Sequence, residues 1–260
     1  MNYYLLTGLT MLFMCAAQAD GVKPEVAFTE MGLEGLEVQM SQSREHLAEL
    51  AQNNPLVLER FDRFVSILKQ WHQEGSLSSA QVEQLLLALA FAADRHRFQK
   101  RKNKEQTPYI SHPIGVANNL MAIGHVKDPA IIAAALLHDT VEDTQTTFKE
   151  IESHFGKEVC GYVQELTDDK TLSKEDRKRL QVVNAPHKSA GAAQVKLADK
   201  LYNLTDLSTQ TPEGWSIERV DHYFHWAEAI VNRLPAVNPP LKAAVDEVIE
   251  QHWKHQKDHS

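Results

Sequence analysis

Cysteine is nearly absent from this 260-residue chain, which holds only Cys15 and Cys160. With Cys15 inside an apolar leader, no disulfide framework and no cysteine-based zinc site is expected. Cys160 reads as a small core residue. No glycine-rich phosphate loop of either common kind occurs among the 11 glycines, which argues against a kinase, a GTPase or a dinucleotide-fold oxidoreductase. Positive charge is also in deficit. The 27 basic residues stand against 35 acidic ones, a net charge of −8 with histidine neutral. A general nucleic-acid binder needs a basic face, so no nucleic-acid partner is expected. Alternating β patterns of useful length, internal repeats and low-complexity tracts are missing as well.

Long hydrophobic runs are scarce too. The uncharged stretch from Tyr3 to Ala16 falls short of the ~20 apolar residues that a membrane span needs. It is followed by Ala17-Gln18-Ala19, a small-x-small pattern, and then by Asp20-Gly21. Residues 1–19 therefore read as a cleavable export signal, with an uncleaved anchor as the alternative, although no Lys or Arg precedes the run. Cys15 does not fit a lipoprotein cysteine, because bulky Met14 stands before it. The expected location is outside the cytoplasm, in a periplasm, with no membrane partner once the leader is removed; a misread leader would leave the chain cytoplasmic.

What is present is a succession of helix signals. Residues 20–77 form an N-terminal extension, with one helix around 41–52 and an amphipathic one from Val57 to Trp71. Ser78-Ser79-Ala80-Gln81 is a capping box opening a helix through Val82, Leu85, Leu86, Leu89 and Ala92. A basic, turn-prone stretch spans 95–104. Pro113 suits a helix start, and a further helix begins near Pro129. Thr147-Phe148-Lys149-Glu150 is a second capping box, leading a helix that stops near Gly156. Helical spacing returns at 159–166, 174–183, 195–207, 217–234 and 242–253. The expected fold is all-α: a helical domain over 78–234, extra N-terminal helices before it, and a C-terminal helix and tail over 235–260.

The most informative stretch is His138-Asp139-Thr140-Val141-Glu142-Asp143, which follows the apolar run from Ala130 to Leu137. Carboxylates this close repel one another, and burial worsens the conflict by disfavouring their charged forms. A divalent cation resolves it. His138 and Asp139 are adjacent, while Glu142 and Asp143 follow them at four-residue spacing, toward the same neighbourhood. Two further candidates, His112 in Tyr109-Ile110-Ser111-His112-Pro113 and Asp199 in Val195–Leu204, complete a set of two imidazoles and two carboxylates. Such a mixed set suits Mn²⁺, Fe²⁺ or Zn²⁺ rather than Ca²⁺.

The order His…His-Asp…Asp resembles the HD superfamily of metal-dependent phosphohydrolases. Within it, the chain is similar to the hydrolase domain of RelA/SpoT-type proteins, above all to their small stand-alone members from metazoa and bacteria. The matching segments are His96-Arg97-x-Gln99-x-Arg101-Lys102, Pro108–Ala117, Ala135–Thr144 and Val195–Leu204, joined by Thr167–Leu172, Arg177–Gln181 and Thr211–Ser216. They span roughly residues 82–234 and exclude the leader and residues 20–77. The resemblance implies hydrolysis of the 3′-pyrophosphate of the alarmone (p)ppGpp, giving GDP or GTP and pyrophosphate, usually with Mn²⁺. It implies His112, His138, Asp139 and Asp199 as metal ligands, and Glu142 and Asp143 as the groups that handle the attacking water and its protons. Arg101, Lys102, Lys174, Asn203 and Tyr223 fall at its substrate-contacting positions, whereas Trp215 and Trp226 read as structural. No synthetase or regulatory segment follows the matching part, so degradation alone is expected. An enzymatic alternative is removal of the 2′-phosphate of NADPH at the same centre, and one of another class is a non-catalytic nucleotide-binding module. The full set of ligands and acids opposes the latter. An intracellular messenger as substrate sits uneasily with an exported protein.

Overall fold

The computed structural model describes residues 33–258. Their regular elements are helices: α1 (Leu33–Leu50), α2 (Pro55–Gln73), α3 (Ser79–Arg95), α4 (Ser111–Ala122), α5 (Pro129–Leu137), α6 (Thr140–Asp143), α7 (Phe148–Leu166), α8 (Lys174–Asn184), α9 (Ala190–Thr209), α10 (Ile217–Val231) and α11 (Pro239–Asp258), with a 3₁₀ turn at Ala185–His187. The isolated antiparallel bridge between Lys100 and Pro108 ties off the basic loop after α3. The expected all-α class is what these residues adopt.

Local chemistry explains most boundaries. Ser78 and Thr147 each make the full capping box with the residue three positions on, satisfying amides that a helix start leaves unpaired. Asn54 and Asp128 cap helices that open on Pro55 and Pro129, where a missing N–H costs nothing. Gly156, with φ of 86°, kinks α7 without ending it; only glycine adopts that conformation readily, so the expected helix stop became a bend. The helix expected at 41–52 is longer and starts earlier, and the one expected from 195 already begins at Ala190.

One element organises the rest. The segment Ile131–Leu137 of α5 is buried throughout, as a helix apolar on every side must be. It is enclosed by α3, α4, α7 and α9. Helices α4 and α9 also pack on each other, which brings His112 and Asp199 to the carboxyl end of α5. The apolar core is contiguous from Leu36 to Ile249, so the helices of the N-terminal extension contribute to it directly. Phe61, Phe64 and Leu68 of α2 are fully buried, and α2 packs against α4.

The run after α5 does not continue as one helix. α5 ends at Leu137, and α6 begins only at Thr140, whose hydroxyl donates to the Leu137 carbonyl at 2.7 Å. The four-residue spacing survives for Asp139 and Asp143, whose backbones share a 2.8 Å hydrogen bond. The leader, residues 1–19, lies outside the described residues. No described helix is long and apolar enough to cross a membrane.

If α2 is integral to this core, Phe64→Ala should cost ~3–5 kcal/mol, read as a shifted urea midpoint in a single transition. A loss below about 1 kcal/mol would show α2 to be dispensable for stability.

Candidate active site

Three helices deliver four donors to one point. His112 lies in the first turn of α4, His138 caps α5, Asp139 begins the turn into α6, and Asp199 sits midway along α9. His112 Nε2 and His138 Nε2 are 3.3 Å apart. Asp139 Oδ2 stands 3.4 Å from the first nitrogen and 3.1 Å from the second, and Asp199 Oδ1 stands 3.4 and 4.0 Å from them. Among the described residues, His112, His138 and Asp199 form a mutually close ligand set. Both imidazoles are almost inaccessible, at 2% and 5% exposure.

The electrostatics are those of a site built around positive charge. Burial works against a charged His138, yet Asp139 and Asp199 outweigh it and raise the imidazole to about 9. Burial likewise opposes the charge on Asp139, but His138 and His112 hold it well below the usual carboxylate range. Asp199 is depressed too, again against burial, chiefly by Lys200, whose Nζ lies 3.4 Å from Oδ2. His138 Nδ1 donates to the Ala135 carbonyl at 2.8 Å, which leaves Nε2 to face the centre. Two facing imidazole nitrogens flanked by carboxylates need a cation among them. Donors held ~2.0–2.2 Å from a tetrahedral metal lie about 3.3–3.6 Å apart, close to the spacings here. The residues therefore fit a divalent metal ion.

The two expected catalytic acids lie at the edge of this centre. Glu142 Oε2 accepts the Asp168 backbone N–H at 3.0 Å, and Oε1 lies 3.6 Å from Lys170 and 3.7 Å from Arg177. Burial, and then the neighbouring carboxylates, raise the Glu142 carboxyl above its ordinary range despite that N–H. Asp143 pairs with Lys170 at 2.6 Å. Tyr109 Oη donates to Asp139 at 2.7 Å and approaches Asp143 at 3.4 Å, coupling a ligand to an acid. Gln99 fixes the α6 turn by donating to the Asp143 carbonyl at 2.5 Å, and is itself held by His96.

Beside the centre opens a groove of about 210 Å³, lined among others by Arg101, Lys102, Asn203, Trp215 and Tyr223. Arg101 donates to Asn203 Oδ1 at 3.0 Å and to Asp206 at 2.8 Å. Asn203 in turn donates to Asp199 at 2.6 Å. Arg101 is thus linked to Asp199 through one amide. Tyr223 is raised above its ordinary range, first by burial and then by Asp199. Trp215, read as structural, lines the groove as well, whereas Trp226 donates to the Lys178 carbonyl and packs under Lys200. Lys174 is exposed in the first turn of α8 and does not line the groove; Arg177, one turn further on, reaches Glu142 instead.

Sequence reasoning assigns no role to Tyr109, Lys170, Arg177, Asp206 or Lys200. The first three lie inside the matched motifs, which was the available signal. Lys200 lies inside a matched motif as well, whereas Asp206 carried no signal, because acids on a helix usually face water.

An all-α domain that converges two histidines and two aspartates from separate helices defines a metal-dependent phosphohydrolase of the HD type. The chain matches the HD domain family over residues 88–222 and belongs to that family. It is 55% identical over 168 residues to a protein of Xenopus tropicalis named guanosine-3′,5′-bis(diphosphate) 3′-pyrophosphohydrolase MESH1, covering 65% of this chain and 94% of that one. Its Homo sapiens counterpart is 55% identical over 172 residues, covering 66% and 96%. A solved structure described as a metazoan ortholog of SpoT that hydrolyses ppGpp superposes with a TM-score of 0.63 at 46% identity, covering 65% and 94%.

These relatives correct the expected export. They are animal proteins, from organisms without a periplasm, and nearly their whole length is matched by two thirds of this chain. They give no support to an export signal or a periplasmic location for this chain.

Asp139→Ala should abolish retention of a divalent ion, read as metal content after dialysis, while helical circular dichroism persists. Undiminished metal content would remove Asp139 from the ligand set.

Proposed function

We propose that this chain hydrolyses the 3′-pyrophosphate of guanosine 3′,5′-bis(diphosphate), releasing GDP and pyrophosphate, and handles the pentaphosphate likewise to give GTP. The observation that carries this reading is a convergence of two histidines and two aspartates that fits a divalent ion, beside a cationic, aromatic groove, in a chain 55% identical to enzymes of that name. His112, His138, Asp139 and Asp199 hold the ion; their mixed nitrogen and oxygen donors suit Mn²⁺, Fe²⁺ or Zn²⁺, and the resemblance to RelA/SpoT-type hydrolases points to Mn²⁺. When bound, the ion lowers the pKa of a water and offsets charge on the phosphoryl oxygens.

The remaining work belongs to the side chains. Glu142 is anchored through Oε2 by the Asp168 amide, which leaves Oε1, flanked by Lys170 and Arg177, to orient or deprotonate the attacking water. Its raised carboxyl pKa brings it nearer the range in which a proton is exchanged in both directions. Asp143, held between Lys170 and Tyr109, serves the second proton transfer, toward the departing side. Arg101 and Lys102 neutralise the substrate's phosphates at the groove, and a phosphate displacing Asp206 from Arg101 would be sensed by Asn203 and so by Asp199. Tyr223 and Trp215 supply flat apolar surface for the nucleoside.

Metal-free protein reloaded with Mn²⁺ and offered ppGpp or NADPH in parallel should release GDP and pyrophosphate from the first far faster than phosphate from the second. Preferential turnover of NADPH would overturn the substrate and leave the centre standing. Glu142→Gln should keep its metal yet lose about 10²–10⁴-fold in kcat; an unchanged kcat would remove Glu142 from proton transfer.

A further inference from the structure

The two histidine ligands are held in different ways. His138 has its outer nitrogen fixed by a backbone carbonyl. His112 does not: its Nδ1 is buried and has no hydrogen-bond partner among the described residues. Metal-bound imidazoles normally donate that second N–H to a carboxylate, carbonyl or water, which sets ring orientation. The His112 ring must instead be oriented by what packs around it. It lies edge-on to two tyrosines, Tyr109 with centroids 5.8 Å apart and Tyr202 at 4.8 Å. Tyr202 is seated flush on α4, since a Cβ added to Gly115 would come within 2.2 Å of its ring.

Arg60 of α2 holds this arrangement from outside. Its Nη1 donates to the carbonyl of Ser111, the residue before His112, at 2.9 Å, and also to the Tyr202 hydroxyl. Its guanidinium lies over the Tyr202 ring, 4.8 Å from the centroid. Asn118 of α4 returns the tie by donating to the Arg60 carbonyl at 3.0 Å. Arg60 also borders a separate cleft of about 300 Å³ between α2, α4 and α9, lined by none of the four metal ligands.

We propose that Arg60, on a helix that precedes the family-matched residues, is a positioning residue for His112, acting through the Ser111 carbonyl and the Tyr202 ring. The N-terminal extension thereby takes part in building the metal centre rather than merely covering the core. This inference rests on the reading of His112 as a metal ligand.

The sign of the effect separates positioning from charge. Removing a cation near a cation site should, by Coulomb's law alone, tighten metal binding. Loss of positioning should weaken it, by ~10-fold or more for an outer partner of a metal ligand. The full chain, stripped and titrated with Mn²⁺ against a competing chelator, gives the dissociation constant directly, without substrate. Arg60→Met should raise that constant about 10-fold, Arg60→Lys should recover part of the loss, and Arg63→Met, one turn along in the same cleft, should leave it unchanged. Should Arg60→Met not fold, Tyr202→Phe keeps the ring, deletes only the hydroxyl, and should weaken Mn²⁺ in the same direction. An Arg60→Met protein, or in its place Tyr202→Phe, that binds Mn²⁺ as wild type does, whatever its melting temperature, overturns the inference. Wild-type protein that binds no ion would instead overturn the metal centre on which it rests.

Discussion

Burying two aspartates against two histidines is the constraint on which the rest of this structure depends. The charges of His138, Asp139 and Asp199 are each set by close neighbours. His138 is raised to about 9 by Asp139 and Asp199 against burial, and in turn it holds Asp139 down. A cation at the common point satisfies all four, and the fold must present them from three directions at spacings of a few ångströms. The apolar α5, enclosed by four helices, is the means: packing fixes its carboxyl end, and His138 and Asp139 are carried there.

The groove is connected to that centre rather than placed beside it. Arg101, Asn203 and Asp199 form one hydrogen-bonded line from the solvent-facing cations to a ligand, and Tyr109 joins Asp139 to Asp143. Electrostatics inside such a network are strong because the local dielectric is low. The extension enters this network too, through Arg60, which bonds to the backbone immediately before a ligand.

Much of the site was legible because its chemistry is unusual for its context. Histidine beside aspartate at the end of an apolar helix is costly to bury unless a cation joins them, and Glu142 and Asp143 follow at short range. Tyr109, Lys170 and Arg177 were visible as motif residues, but their bonds cross 27 to 35 residues of chain, and no local pattern encodes such partners. Lys174 and Arg177 illustrate the limit: both are cations on α8, and only the rotation of that helix turns Arg177 toward Glu142. The leader misled for a related reason. An apolar run ending in small residues meets the local requirements of an export signal whatever enzyme follows.

Helix class and most helix starts followed from the sequence alone, as did the choice of the four side chains that converge, because capping chemistry, hydrophobic spacing and donor preference act over a few residues. The break between α5 and α6, the turning of Glu142 onto the Asp168 amide and the reach of Arg60 to Ser111 were decided by tertiary packing. Each depends on which distant backbone groups happen to lie within hydrogen-bond range, and such proximity exists only once the helices are assembled.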